Sequence, residues 1–299
     1  MPTVRISREI ELAHDTFGDP ADPPVLLVMG FGAQMIAWHD EFCRLLADRG
    51  RFVIRYDNRD SGLSTRLDDH PVDLGAFIGA LTAGDRATAE AMIPYRLRDL
   101  AADGIGLLRA LDIDRAHVVG ASMGGMIAQT MAIEFPDAVL SLTSMMSTTG
   151  EPEYGQASPE AQELLLTPKP ADREGYVTAS ERELLWASRR YGDREAIREL
   201  AGASWDRAYY PAGVPRQLGA IVLAEPRADA LRALDVPTLV IHGLDDVLID
   251  PSGGRRTAEL VPGARLLLLE DMGHDRPRPL WGTLVDAIAE HTAGTAATA

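Results

Sequence analysis

Residues 116–129 read AHVVGASMGGMIAQ: a short β-branched run, one serine with a glycine two positions away on either side, then a stretch of helical composition. A serine hydroxyl is a poor nucleophile at its ordinary pKa, so a chain that uses one must turn sharply and lift Oγ toward a base. Gly120 and Gly124 remove the β-carbons that would collide where a strand closes onto a helix. The stretch therefore reads as strand, nucleophile elbow at Ser122 and helix. Gly-x-Ser-x-Gly also arises by chance; the apolar run before it and MGGMIAQTMAIEF after it give it weight.

Outward from this point the same alternation recurs. Short apolar runs stand at 24–29 (PVLLVM), 52–56 (FVIRY), 116–119 (AHVV), 139–146 (VLSLTSMM), 238–242 (TLVIH) and 265–269 (RLLLL). Helical periodicity fills the spaces around 35–49, 95–111, 123–135, 252–261 and 280–291. Strands alternating with helices imply a mostly parallel sheet covered on both faces. In LRDLAADGIGLLRALDI (97–113), Leu100, Gly104, Leu107, Leu108 and Leu111 fall at three- and four-residue steps, so this helix should lay one face on the sheet.

Between about 150 and 231 the alternation lapses. Pro152, Pro159, Pro168 and Pro170 punctuate short charged helical pieces that hold Trp186, Trp205, Tyr209 and Tyr210, which reads as an insertion above the sheet. A second irregular piece, roughly 68–94, is broken by Gly75, Gly79, Gly84 and Pro94 and reads as a smaller excursion near the same end. The closing AGTAATA (293–299) reads as a fraying tail.

Composition bounds the partners. The 299 residues are 46% hydrophobic and 25% charged, enough for one large domain with an insertion. Asp and Glu outnumber Lys and Arg by 45 to 29, a net charge of −16, the wrong sign for a nucleic-acid partner. The single Cys43 allows no internal disulfide and offers no second thiol for a metal site. MPTVRISREIELAHDTFGDP lacks the basic-then-apolar layout of a signal peptide, and VLLVM and LLLL fall far short of the roughly 20 residues that span a bilayer. The expectation is a cytoplasmic protein with no membrane partner; the oligomeric state stays open.

With a nucleophile elbow, the chain order is Ser, then acid, then His. Only His242, His274 and His291 follow Ser122. His274, in LLLLEDMGHDRP one loop after the last apolar run, occupies the slot for the base; His242 reads as a packed strand-end residue, and His291 lies in the terminal helix. TLVIHGLDDVLIDP offers Asp245, Asp246 and Asp250 for the acid, with Asp246 the choice by pattern and Asp245 the runner-up. An oxyanion needs backbone donors: Met123, after the nucleophile, and a residue of MGFGAQM (29–35), where Gly30 and Gly32 allow close approach and the Phe31 amide is the expected donor. Asp57, Asn58, Arg59 and Asp60 sit at a strand end and read as a turn tied by side-chain hydrogen bonds and an ion pair. Trp186, Trp205, Tyr209 and Tyr210 are candidates to line an apolar substrate pocket or to dock the insertion.

VMGFG, YDNRDSGLS, GASMGG, IHGLDD and MGH together make the chain resemble the α/β-hydrolase superfamily along nearly its whole length. Within it, the chain is similar to the bacterial esterases that include aclacinomycin methylesterase, with Met29 standing where many relatives carry the His of an HG dipeptide. The resemblance implies the α/β-hydrolase fold, with a core of 1–149 and 232–299 and a helical cap over 150–231. It implies a triad of Ser122, Asp246 and His274, no cofactor, no metal, and a small-molecule ester as substrate, a methyl ester on a ring system being the suggested case. A cofactor-free haloperoxidase, a C–C bond hydrolase, a thioesterase and a peptidase of the proline iminopeptidase kind share that triad and remain rivals. A haloalkane dehalogenase would need Asp where Ser122 stands. From a different class, the fold could serve as a ligand receptor without turnover.

Overall fold

The architecture follows from a run of buried parallel strands and the helices between them. In the computed structural model, which describes residues 2–293, the strands are β1 (Thr3–Arg5), β2 (Glu11–Phe17), β3 (Pro24–Val28), β4 (Phe52–Tyr56), β5 (Ala116–Ala121), β6 (Val139–Met145), β7 (Thr238–Gly243) and β8 (Arg265–Leu269). They form one eight-stranded sheet in the order β1-β2-β4-β3-β5-β6-β7-β8. From β4 through β8 every pairing is parallel, while β1 and β2 pair antiparallel at one edge. β3 to β8 are the six apolar runs of the sequence. β1 and β2 are not among them, because ELAHDTF mixes polar and apolar residues and lies at the antiparallel edge of the sheet. The expected tail lies outside the described residues from position 294 onward.

Alternate residues of each strand serve opposite faces. Val25, Leu27, Val53, Val119, Leu239 and Ile241 pack with Phe42, Leu46, Leu284, Val285 and Ile288 on one side. Leu26, Val28, Ile54, Tyr56, Val118 and Leu142 pack with Leu100, Leu107, Ile127 and Met131 on the other. The helix Leu97–Ala110 presses so close that a β-carbon on Gly104 would lie 2.4 Å from Met131 Cε. The helix Met123–Glu134 is buried along most of its length, which is why it is apolar almost all round.

Between β6 and β7 run the helices Pro159–Leu166, Arg173–Ser180, Arg194–Ala208, Val214–Val222 and Ala228–Arg232. Ala228 and Leu231 of the last one join the core cluster beneath the sheet. Two others are tied to the turn after β4 by buried ion pairs. Arg216 makes a two-point contact with Asp60, Nε to Oδ2 at 2.7 Å and Nη2 to Oδ1 at 2.8 Å, and Arg207 Nη2 lies 2.8 Å from Asp57 Oδ2. The turn YDNRD is thus the structural knot its composition suggests, with cations supplied from more than 140 residues away in addition to Arg59, which pairs with Asp103.

Breaking one member of such a pair leaves the other charge buried and alone, which costs about 3–5 kcal/mol. Arg216→Met is expected to lower stability by that order in urea unfolding, and Arg216→Met combined with Asp60→Asn to recover part of the loss.

Candidate active site

β5 ends at Ala121, and the next residue turns the chain. Ser122 has φ 57° and ψ −123°, a conformation that costs a non-glycine residue on the order of 1–3 kcal/mol and persists only where the surroundings enforce it. They do so by close approach. A β-carbon on Gly120 would lie 2.0 Å from Gly124 O, and one on Gly124 would lie 2.1 Å from Val28 O. Ser122 N donates to Met145 O at 3.0 Å, and its carbonyl accepts from Ser147 Oγ at 2.9 Å and from Gly125 N at 2.8 Å. The backbone is therefore fixed on both sides of the hydroxyl.

Two loops bring partners to that hydroxyl. His274, after β8, has Nε2 2.9 Å from Ser122 Oγ and Nδ1 2.7 Å from Asp246 Oδ2. Asp246, after β7, is 3% exposed, and its Oδ1 accepts from Leu248 N at 2.9 Å and Ile249 N at 2.8 Å. Burial works against the Asp246 charge, but the neighbouring His274 and hydrogen bonds from His242 and His274 outweigh it and hold the carboxyl down to about 2. Of the three acids in this stretch, Asp246 is the one in contact with His274. Asp245 accepts from Arg189 N at 2.9 Å, and the exposed Asp250 accepts from Ser252 N at 2.9 Å.

The His274 loop is pinned by the segment around Trp186. His274 N donates to Trp186 O, and Asp275 Oδ1 accepts from Ser188 N at 3.0 Å and Gly273 N at 3.1 Å. Burial raises the Asp275 carboxyl pKa, with those amides opposing. Gly273 is needed here, since a β-carbon would lie 2.3 Å from Trp186 O.

The 29–35 loop passes over the same point. A β-carbon on Gly30 would lie 3.1 Å from Ser122 Cβ and 3.6 Å from its Oγ, and the half-buried Phe31 is the next residue. Met123 opens its helix, where the first amides have no intrahelical partner. Buried polar groups fix the loop: Met35 N donates to Asp57 Oδ1 at 2.7 Å, Asn58 Nδ2 to Met29 O at 2.9 Å, and Gly32 N to Gln217 Oε1 at 2.9 Å. Gln217 in turn donates to Arg59 O at 3.0 Å.

The aromatic candidates separate. Trp186 sits over the His274 loop through its carbonyl. Trp205 and Tyr209 stack at 3.8 Å, with Tyr176 packed against both at 5.5 and 5.1 Å. Tyr210 OH accepts from Arg216 Nη2 and donates to Asp68 Oδ1, each at 2.6 Å. Gln217, Arg207 and Arg216 were not singled out by the sequence; they lie in helices whose periodicity gives no hint of a polar partner across the chain. Among the described residues no group of three or more His, Cys, Asp and Glu side chains could hold a metal ion, and no helix is long and apolar enough to cross a membrane.

Hydroxyl, imidazole and carboxylate in line can pass a proton from Oγ to the ring, the carboxylate stabilising the imidazolium that forms. The lowered Asp246 pKa also carries a stability signature. A carboxyl depressed on folding stabilises the protein above its unfolded pKa, near 3.9, and that stabilisation is lost as pH falls toward about 2. The pH dependence of unfolding free energy between about pH 4 and 2 is expected to be steeper in wild type than in Asp246→Asn, by on the order of 2 kcal/mol across the window.

Comparison with known proteins agrees with the architecture. A family model described as alpha/beta hydrolase fold matches residues 23–275. The rhodomycin D methylesterase DauP of Streptomyces sp. (strain C5) is 30% identical, covering 98% of this chain and 98% of its own. The rhodomycin D methylesterase DnrP of Streptomyces peucetius is also 30% identical, with the same coverage. Among solved structures, the enol-lactonase from Burkholderia xenovorans LB400 superposes with a TM-score of 0.72 at 22% identity, over 98% of this chain and 100% of that one. The chain belongs to the α/β-hydrolase fold family.

Proposed function

We propose that the protein is a serine carboxylic-ester hydrolase working through an acyl-enzyme on a small-molecule ester. The observation that carries this is the pair of contacts made by one imidazole, 2.9 Å to Ser122 Oγ and 2.7 Å to Asp246 Oδ2. Ser122 Oγ attacks the ester carbonyl as His274 Nε2 takes its proton; the carbonyl π electrons move onto oxygen. The amides of Phe31 and Met123 receive that oxyanion, each donor being worth roughly 2.7–4 kcal/mol in the transition state. The tetrahedral species collapses, the C–O bond to the alcohol breaks, and His274 returns its proton to the leaving alkoxide. Water then repeats the sequence on the acyl-enzyme and frees the acid, with Asp246 orienting His274 throughout.

A methyl ester of a bulky ring system is the substrate class we favour, because the two relatives matched over nearly their whole length are methylesterases. We read residues 150–231 as a cap over the site and the protein as cytoplasmic. Trp186 is the aromatic we assign to the substrate side, since its segment rests on the His274 loop, whereas Trp205 and Tyr209 are engaged with Tyr176 and Tyr210 with Arg216.

Hydrolysis of p-nitrophenyl acetate and of methyl esters of bulky aromatic acids should be measured with wild type and Ser122→Ala. Ser122→Ala is expected to lower kcat by at least about 10³-fold with its melting temperature retained. Equal turnover by the two proteins would overturn the assignment.

A further inference from the structure

His242 stands near the end of β7 and is fully buried, and packing alone would be served by an apolar side chain. Its ring nitrogens are more specific than that. Nε2 lies 2.8 Å from Ile249 O; a carbonyl only accepts, so Nε2 carries the proton. Among the described residues Nδ1 is buried with no hydrogen-bond partner, and a β-carbon on Gly254 would lie 2.4 Å from it, so the ring is boxed on that side. A proton on Nδ1 would be stranded there, so the donor sits on Nε2.

That nitrogen stands beside two features of the acid. Nε2 is 3.4 Å from Asp246 Oδ2, the oxygen that takes His274 Nδ1 at 2.7 Å. The residue whose carbonyl it holds, Ile249, gives its own amide to Asp246 Oδ1 at 2.8 Å. Ile249 is thus gripped at both polar groups, by Asp246 on one and His242 on the other, and the turn 246–249 is closed around the carboxylate and tied back to β7.

We propose that His242 is a positioning residue for the Asp246–His274 pair, holding the carboxylate through its Nε2–H bond to Ile249 O and the approach of Nε2 to 3.4 Å from Asp246 Oδ2. The inference rests on the hydrolase reading above for its kinetic consequence, but not for its structural one. Without the Nε2–H, the turn loses its side-chain anchor to β7 and Asp246 Oδ2 one of its two imidazole neighbours, so the His274 Nδ1–H bond lengthens while substrate contacts are untouched. A shift of that kind lowers kcat and leaves KM alone.

The test compares His242→Leu, His242→Asn and His242→Gln. A Gln amide nitrogen can stand where Nε2 stands, whereas an Asn amide reaches only the Nδ1 position, so the two polar variants separate a positioning role from a packing one. Three readouts apply: melting temperature, kcat and KM on a p-nitrophenyl ester, and the downfield proton resonance of the His274 Nδ1–H bond. His242→Leu and His242→Asn are expected to lose about 10- to 100-fold in kcat at unchanged KM and to broaden that resonance. His242→Gln should retain most of both. The inference is overturned if folded Asn and Gln variants behave alike, or if the resonance persists in every variant. Persistence of ester turnover in Ser122→Ala would instead strike the hydrolase reading and leave the resonance to judge His242.

Discussion

The absence of side chains at Gly120 and Gly124 is the constraint on which the site depends. Ser122 can hold φ 57° only because the strand before it and the helix after it close to within contact of bare backbone, Gly120 against Gly124 O and Gly124 against Val28 O. The strain is held by Met145 O and Ser147 Oγ, both from the neighbouring strand β6 and its exit. Sheet order does the rest. β5, β6, β7 and β8 lie side by side and parallel, so the loops after β5, β7 and β8 emerge at one edge. Those three loops carry Ser122, Asp246 and His274, which are separated along the chain by 152 and 28 residues yet lie in hydrogen-bond contact.

A second set of buried charges decides how the 29–35 loop is held. Asp57 divides its oxygens: Oδ1 takes Met35 N at 2.7 Å, while Oδ2 takes Leu63 N at 3.0 Å and faces Arg207 at 2.8 Å. One carboxylate therefore joins the turn after β4, the loop beside Ser122 and a helix of the 150–231 segment. Asp60 and Arg216 repeat the device a few residues on. Buried ion pairs are weak evidence for stability by themselves, because desolvation offsets much of their attraction. Here Asp57 also accepts two backbone amides and Asp60 one, from Leu67 N at 2.9 Å, so the pairs fix where loops lie relative to one another.

What could be read from the sequence was what is encoded locally. β3 to β8 announce themselves as apolar runs, and the elbow as glycines at fixed spacing around Ser122. His274 and Asp246 could be found because chain order and strand ends restrict them to two short loops. β1 and β2 were invisible, since β1 is only three residues long and Glu11–Phe17, paired antiparallel with both β1 and β4, mixes polar with apolar residues and buries only Leu12, Ala13 and His14. Arg207, Arg216 and Gln217 were equally silent: their partners lie 150, 156 and 185 residues away, a distance over which periodicity says nothing. His242 was legible as a buried strand-end residue and no further, because burial follows from a pattern of neighbours while a hydrogen bond to Ile249 O does not.

The most direct measurement is a crystal structure of the protein after reaction with a p-nitrophenyl phosphonate ester, whose tetrahedral phosphorus stands in for the carbonyl carbon under attack. A covalent bond from Ser122 Oγ to phosphorus is expected, with the phosphonyl oxygen within hydrogen-bond distance of the Phe31 and Met123 amides and His274 still bonded to Asp246. An adduct on another residue, or one on Ser122 with that oxygen turned away from both amides, would contradict it.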